Sequence, residues 1–330
     1  MIASEPRSTL LTNRRSNSRR AVLGVDGGGT KTHAVILDAN GENIGEGLAG
    51  PSNPLRVGIA SAAVAVTEAV NQAVENAQIR RTDLLAARIG LAGARRDELS
   101  ARMCDALAGL GISDLMVIGD ADIALYGATE GRPGLIVIAG TGSICCGMNA
   151  RGRRECAGGW GPIAGDEGGG SWLARRALRA IAQDTDGRGP ATSLTAAACA
   201  YFHVTNPHDL STAIYAPTIT NERLAGFGRD VVEAAKAKDR IARDILSEGG
   251  RELGQMAVAV IRTLKLEREI FQLAYVGGVF RAAGELILAP MREEVLKIAP
   301  RVYLAPPHFA PAVAAARMAL DHLNNVALAV

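Results

Sequence analysis

Aromatic residues make up only 4% of this 330-residue chain. A core built around large rings is therefore excluded, and packing must come from aliphatic side chains linked by tight turns. Cysteine is scarce and unpatterned: Cys104, Cys145, Cys146, Cys156 and Cys199 are odd in number and lack the Cys-x-x-Cys spacing of a zinc site. A disulfide framework is not expected, and a reducing, cytoplasmic setting is. No stretch approaches the roughly 20 apolar residues that a membrane span needs, so no membrane partner is expected.

Excess charge of one sign is missing too, since the formal net charge is +2. What excess exists is local: Arg7, Arg14, Arg15, Arg19 and Arg20 face Glu5 alone in residues 1–20, which leaves 31 basic and 33 acidic residues in the rest. A body of that balance gives a nucleic-acid partner no electrostatic support. Residues 1–20 read as a disordered basic tail. The paired arginines suggest an export signal, but a strand and the charged Asp26 follow them where a cleavable apolar region would have to stand.

Glycine is abundant, at 38 residues, and hydrophobic residues reach 48%. That composition is globular, and the length suffices for two domains. Strand-like and helical patterns alternate from residue 21, which predicts an α/β fold. Ala21–Val25 and Ala34–Leu37 read as strands and Ile59–Ala77 as a helix. Ala87–Leu91 is a short strand, Asp97–Leu110 a helix and Leu115–Ile118 another strand. A second cycle starts with strands Leu135–Ala139 and Ile144–Met148, helices fill most of 170–265, and Leu273–Val276 is a late strand before a final helix from Ala310. The division expected is 21–133 and 134–309, with the final helix, about 310–325, packing back on the first half.

Three glycine-rich turns follow apolar strands: Asp26-Gly27-Gly28-Gly29-Thr30-Lys31-Thr32, Gly140-Thr141-Gly142-Ser143 and Gly277-Gly278. Glycine lets the backbone approach a phosphate closely, and the hydroxyls of Thr30, Thr141 and Ser143 can donate to its oxygens. The first turn lacks both the Walker spacing and the spaced-glycine dinucleotide fingerprint. Taken alone it is equally an ordinary hairpin turn. In this order the three turns point to a nucleotide.

Asp120 ends a predicted strand, where open α/β sheets place their ligands. It can serve as a general base or as a helix N-cap, and Asp122 competes for either role. The stretch from Gly158 to Gly170 holds Trp160, Asp166 and Glu167 among seven glycines, a composition suited to a loop around a polyhydroxy ligand. A simple helix start favoured by the dipole is the alternative for Asp166 and Glu167.

Together, Asp26–Thr32, Gly50-Pro51-Ser52-Asn53, Gly140–Ser143, Gly158-Gly159-Trp160-Gly161 running to Gly165-Asp166-Glu167-Gly168, and Gly277-Gly278-Val279 resemble the N-acetylglucosamine kinase branch of the BadF/BadG/BcrA/BcrD ATPase family. That family belongs to the sugar kinase, Hsp70 and actin superfamily. The resemblance spans roughly residues 21–322 and implies two actin-like, ribonuclease H-like α/β domains flanking a cleft. It implies ATP and Mg²⁺ as cofactors, with Gly27, Gly28, Gly29, Thr30 and Lys31 as the first phosphate loop and Gly140, Thr141, Gly142 and Ser143 as the second. Gly277 and Gly278 would lie beside the adenosine, and Asp26 near Mg²⁺ through water. Asp120 matches the family's catalytic base, while Asn53, Trp160, Gly161 and Asp166 match positions that line an amino sugar. Phosphorylation of the 6-hydroxyl of N-acetylglucosamine is the activity implied, with a homodimer as the expected assembly. Glucosamine kinases and the ATPase activators of acyl-CoA reductases or dehydratases are rival readings, the latter needing cysteines that hold an iron–sulfur cluster.

Overall fold

The computed structural model describes residues 20–328. The basic tail expected over residues 1–20 lies, apart from Arg20, outside the described residues. The chain forms two compact units: residues 20–118 with 315–328, and residues 119–314.

The first unit is built on a five-stranded mixed sheet of order β3-β2-β1-β4-β5. Its strands are β1 Ala21–Gly27, β2 Thr32–Asp38, β3 Asn43–Ala49, β4 Leu84–Leu91 and β5 Asp114–Gly119. β1 pairs antiparallel with β2 and parallel with β4, and both central strands are apolar along nearly their whole length because helices cover them. The helix Ile59–Ala77 buries a small-residue stripe that includes Ala62, Val66, Ala69, Val70 and Ala73. It approaches β3 so closely that a Cβ at Gly47 would lie 2.0 Å from the Ala69 carbonyl oxygen. That approach explains why β3 escapes a reading of the sequence: Asn-Ile-Gly-Glu-Gly-Leu-Ala has little strand propensity, and its glycines serve the helix rather than the strand.

The second unit repeats the arrangement, with order β10-β9-β6-β7-β8. Here β6 is Gly134–Ala139, β7 Ser143–Met148, β8 Arg154–Gly158, β9 Gln272–Val276 and β10 Tyr303–Ala305. β6 pairs antiparallel with β7 and parallel with β9, as β1 does with β2 and β4. The second cycle of strands and helices expected from the sequence is therefore present as a matching strand order. β8 and β10, like β3, went unpredicted; both are short edge strands with few β-branched residues.

The units divide at 118/119 rather than at the expected 133/134. The reason is the helix Asp120–Thr129, whose Ala121, Ala124, Leu125 and Ala128 pack with Ile136, Cys146 and Ala274 of the second sheet. The final helix, Pro311–Leu328, begins in the second unit, and its residues from Ala315 onward belong to the first.

One cysteine expectation is overturned. Cys146 on β7 and Cys156 on β8 stand directly opposite each other in antiparallel register, 4.1 Å apart at Cα, and are joined as a disulfide. Cysteines ten residues apart give no spacing signal, and only the hairpin register brings them together. Burial pushes the Cys145 thiol up, out of reach of ionisation. Thiol titration of the unfolded, unreduced protein should therefore find three free cysteines, Cys104, Cys145 and Cys199, and five after reduction. Five in both states would show that the opposed pair stays reduced.

Candidate active site

In the first unit, β1 delivers Asp26 to the rim of the sheet, opposite His33 on β2 and Gly90 on β4. The turn that follows is closed by the Gly28 amide donating to the Lys31 carbonyl at 3.0 Å, and it leaves Gly29, Thr30 and Lys31 exposed. The Gly28 carbonyl accepts two amides, from Ser52 at 3.0 Å and Asn53 at 3.2 Å. Thr32 Oγ1 donates to the Gly50 carbonyl and can accept from the Ser52 hydroxyl, both at 2.7 Å, and Ser52 is fully buried. The Gly-Pro-Ser-Asn loop is thus laced to the phosphate-type turn. Asn53 in turn caps the short helix Pro54–Val57, its Oδ1 accepting the Leu55 amide at 3.0 Å.

In the second unit, the Gly140 amide donates to the Gly142 carbonyl at 2.9 Å, which folds the turn back on itself. The Gly170 amide then reaches the Gly140 carbonyl at 2.8 Å, and the Ser171 amide the Thr141 carbonyl at 3.0 Å. These bonds hold the start of the helix Gly170–Thr185 against the turn. Gly277 has φ +125°, and a Cβ there would fall 2.1 Å from the Ala139 carbonyl, so only glycine permits this crossing of β9's end over β6's. The second and third glycine turns consequently share a pocket of about 200 Å³, lined by Gly140, Thr141, Gly226, Arg229, Gly278 and Val279 among others. Glu222 and Ala225 line it too and were missed in the sequence, because they lie in the short helix Asn221–Gly226, which carries no glycine-turn or acidic motif of its own.

Ser143 behaves differently from the expectation. It is 5% exposed, and its hydroxyl donates to the Glu167 carbonyl at 2.7 Å instead of facing that pocket. Its amide donates to Asp166 Oδ1 at 3.3 Å. Asp166 does not cap a helix, since Gly169 occupies the N-cap of Gly170–Thr185 with no side-chain cap. Instead its carboxylate lies under the phosphate-type turn, where a Cβ on Gly142 would meet it at 2.4 Å. Asp166 is 7% exposed with φ +62°. Burial holds its carboxyl above the usual value of 3.8, while the Ser143 amide and Arg175 act in the other direction.

Trp160 and Gly161 open the one-turn helix Gly161–Ala164, where Trp160 is 79% exposed and Ile163 fully so. Asp120 is the first residue of the helix Asp120–Thr129, immediately after β5, and its Oδ1 accepts the Ala121 amide at 3.0 Å. Its competitor Asp122 is held by Arg154 at 3.1 Å. Among the described residues no group of three or more His, Cys, Asp or Glu side chains could hold a metal ion. Mg²⁺ in phosphoryl transfer relies on one or two carboxylates plus substrate phosphates, and a half-buried Asp26 beside the glycine turn fits that mode.

Two sheets of matching order, each with a glycine turn after its central strand, define an actin-like α/β fold. A family model for the BadF/BadG/BcrA/BcrD ATPase family matches residues 23–319, and the chain belongs to that family. It is 35% identical over 259 residues to an N-acetylmuramic acid/N-acetylglucosamine kinase of Clostridium acetobutylicum, covering 78% of this chain and 85% of the relative. It is 29% identical over 317 residues to an N-acetyl-D-glucosamine kinase of Dictyostelium discoideum, covering 92% and 99%. Among solved structures, one described as a candidate N-acetylglucosamine kinase from Chromobacterium violaceum superposes with a TM-score of 0.73 at 28% identity, covering 92% of this chain and 99% of the other.

The buried carboxyl of Asp166 generates a pH signature. A carboxyl held above its unfolded value favours the folded state at low pH, and that contribution is lost as pH rises through the folded pKa. Asp166→Asn keeps an acceptor for the Ser143 amide and removes the buried charge. Its melting temperature relative to wild type should therefore rise from pH 4 to pH 8, as thermal unfolding at both values would measure. A relative melting temperature that falls with pH would mean the carboxylate is stabilised as the anion.

Proposed function

We propose that the chain is an ATP-dependent amino-sugar kinase that phosphorylates N-acetylglucosamine on its 6-hydroxyl. The observation that carries this reading is the pocket in which Thr141 and Gly278, from two separate glycine turns, come together. Exposed backbone at such turns can receive a nucleotide's phosphates, and the apolar Val279, Val232 and Ala282 along the same wall suit a purine. The relatives' sugar-kinase names agree with it.

On this reading Gly27–Lys31 and Gly140–Thr141 hold the phosphates, and Gly277 and Gly278 lie beside the adenosine. Asn53, Trp160, Gly161 and Asp166 hold the sugar. Asp120 accepts the proton of the attacking hydroxyl as that oxygen bonds to the γ-phosphorus and ADP leaves. The choice of Asp120 over Asp122 is supported by the Arg154 ion pair, which already engages the Asp122 carboxylate. Mg²⁺, with Asp26 beside it through water, would neutralise phosphate charge when bound. Asp166 serves two neighbours: its position under Gly142 couples sugar binding to the phosphate turn. A homodimer remains the assembly we propose. The acyl-CoA activator reading is disfavoured because adjacent strand residues point to opposite faces, so Cys145 and Cys146 cannot ligate one cluster.

A coupled ADP-release assay with glucose, glucosamine, N-acetylglucosamine and N-acetylmuramic acid should give its highest kcat/KM with N-acetylglucosamine. A higher value with glucosamine would transfer the assignment to a glucosamine kinase, and no sugar-dependent ADP release would overturn the kinase reading. Asp120→Asn should lower kcat by at least about 100-fold with both KM values little changed. If Asp122→Asn is instead the damaging change, the base is misassigned. Thr141→Ala should act on ATP KM or kcat and leave the sugar KM within about threefold, since its partner is a phosphate oxygen.

A further inference from the structure

The short helix Pro54–Val57 does more than present Asn53. Its third residue, Arg56, turns back over the first glycine turn: Nη1 lies 3.1 Å, Cζ 3.6 Å and Cδ 3.7 Å from the place a Cβ on Gly29 would occupy. The side chain is exposed, yet it runs flat across the one face of the turn that the missing Cβ leaves open. Below it, the Gly28 carbonyl is already taken by the Ser52 and Asn53 amides, so the loop bearing Arg56 and the turn it covers are held together.

We propose that Arg56 is a ligand of the phosphoryl group in transfer. The proposal rests on the kinase reading above and adds to it a residue that no phosphate or sugar motif contains. A guanidinium is permanently charged and offers a planar fork of donors that matches two phosphate oxygens, which a lysine cannot reproduce. Phosphoryl transfer concentrates charge on the equatorial oxygens, and a fixed cation there stabilises the transition state more than the ground state. Asn53 caps the helix that carries Arg56, so one turn of helix places a sugar contact and a phosphate contact three residues apart. The absence of a side chain at Gly29 then has a second use besides backbone approach to phosphate. A methyl group there would crowd the guanidinium and shift it by a fraction of an ångström.

The test compares wild type, Arg56→Ala, Arg56→Lys and Gly29→Ala with ATP and the best sugar of the panel. Arg56→Ala should lose about 10²–10³-fold in kcat, the scale seen when one transition-state donor is removed, with the sugar KM within about threefold. Arg56→Lys should recover at least tenfold of that loss by restoring the charge, and Gly29→Ala should lower kcat in the same direction. A second readout is inhibition by ADP with aluminium fluoride and sugar, which mimics the transferring phosphoryl group. Arg56→Ala should abolish that inhibition while leaving the affinity for ADP alone unchanged, a pattern that a purely structural role would not produce. If wild type turns over sugar but Arg56→Ala stays within threefold of it and keeps the fluoride inhibition, this assignment falls and the kinase reading stands. Loss of activity with a matching loss of fold by circular dichroism in Arg56→Ala passes the decision to Arg56→Lys: a folded lysine variant at or below one-thousandth of wild-type kcat, with ADP and sugar binding intact, would also overturn the assignment. No sugar-dependent turnover by wild type would overturn the kinase reading itself.

Discussion

Asp166 lies so close beneath Gly142 that any side chain on that glycine would collide with its carboxylate, and much of the second unit's chemistry hangs on this contact. It joins the turn after β6, the tryptophan-bearing loop and the start of the helix Gly170–Thr185 into one body. The amide of Ser143 directs the carboxylate, and the hydroxyl of the same residue secures the backbone of Glu167. A group placed in this way has little freedom to act on one neighbour alone. Burying the carboxyl raises its pKa, because the charged form loses its water.

The first unit solves the same problem with a neutral acceptor. The Gly28 carbonyl takes the amides of Ser52 and Asn53, while Thr32 anchors Gly50 and Ser52 from below. Each glycine turn is therefore preorganised by a loop that arrives from elsewhere in its own unit. Such preorganisation matters for phosphoryl transfer, in which positioning and charge neutralisation supply most of the rate and little covalent work is left to the protein.

The two units also differ in what covers their turns. In the second, Gly170 and the helices 221–226 and 228–236 form part of the pocket wall, whose small residues leave room for a flat ligand. In the first, the cover is a single arginine on a one-turn helix. A pocket wall selects by shape, whereas a guanidinium selects by charge.

The sequence by itself determined the α/β class, the buried central strands, the helix Ile59–Ala77 to its end residues, and the three glycine turns, because each is local: apolar runs, period-3.6 stripes and glycine clusters are read within a short window. It also marked Asp120, Asn53 and Asp166 as chemically interesting. Tertiary structure alone decided what those residues touch. The opposition of Cys146 and Cys156 follows from strand register, the allegiance of the helix Asp120–Thr129 from which sheet its alanines fit, and the inward turn of Ser143 from the backbone of Glu167. The strands β3, β8 and β10 form because neighbours offer them hydrogen bonds, against weak propensities of their own. Arg56 carried no signal in the chain at all, since a lone arginine on a surface helix usually means solvation. Its place over Gly29 depends on a loop that two amides of residues 52 and 53 tie to a carbonyl some 25 residues earlier, a long-range bond that no local pattern encodes.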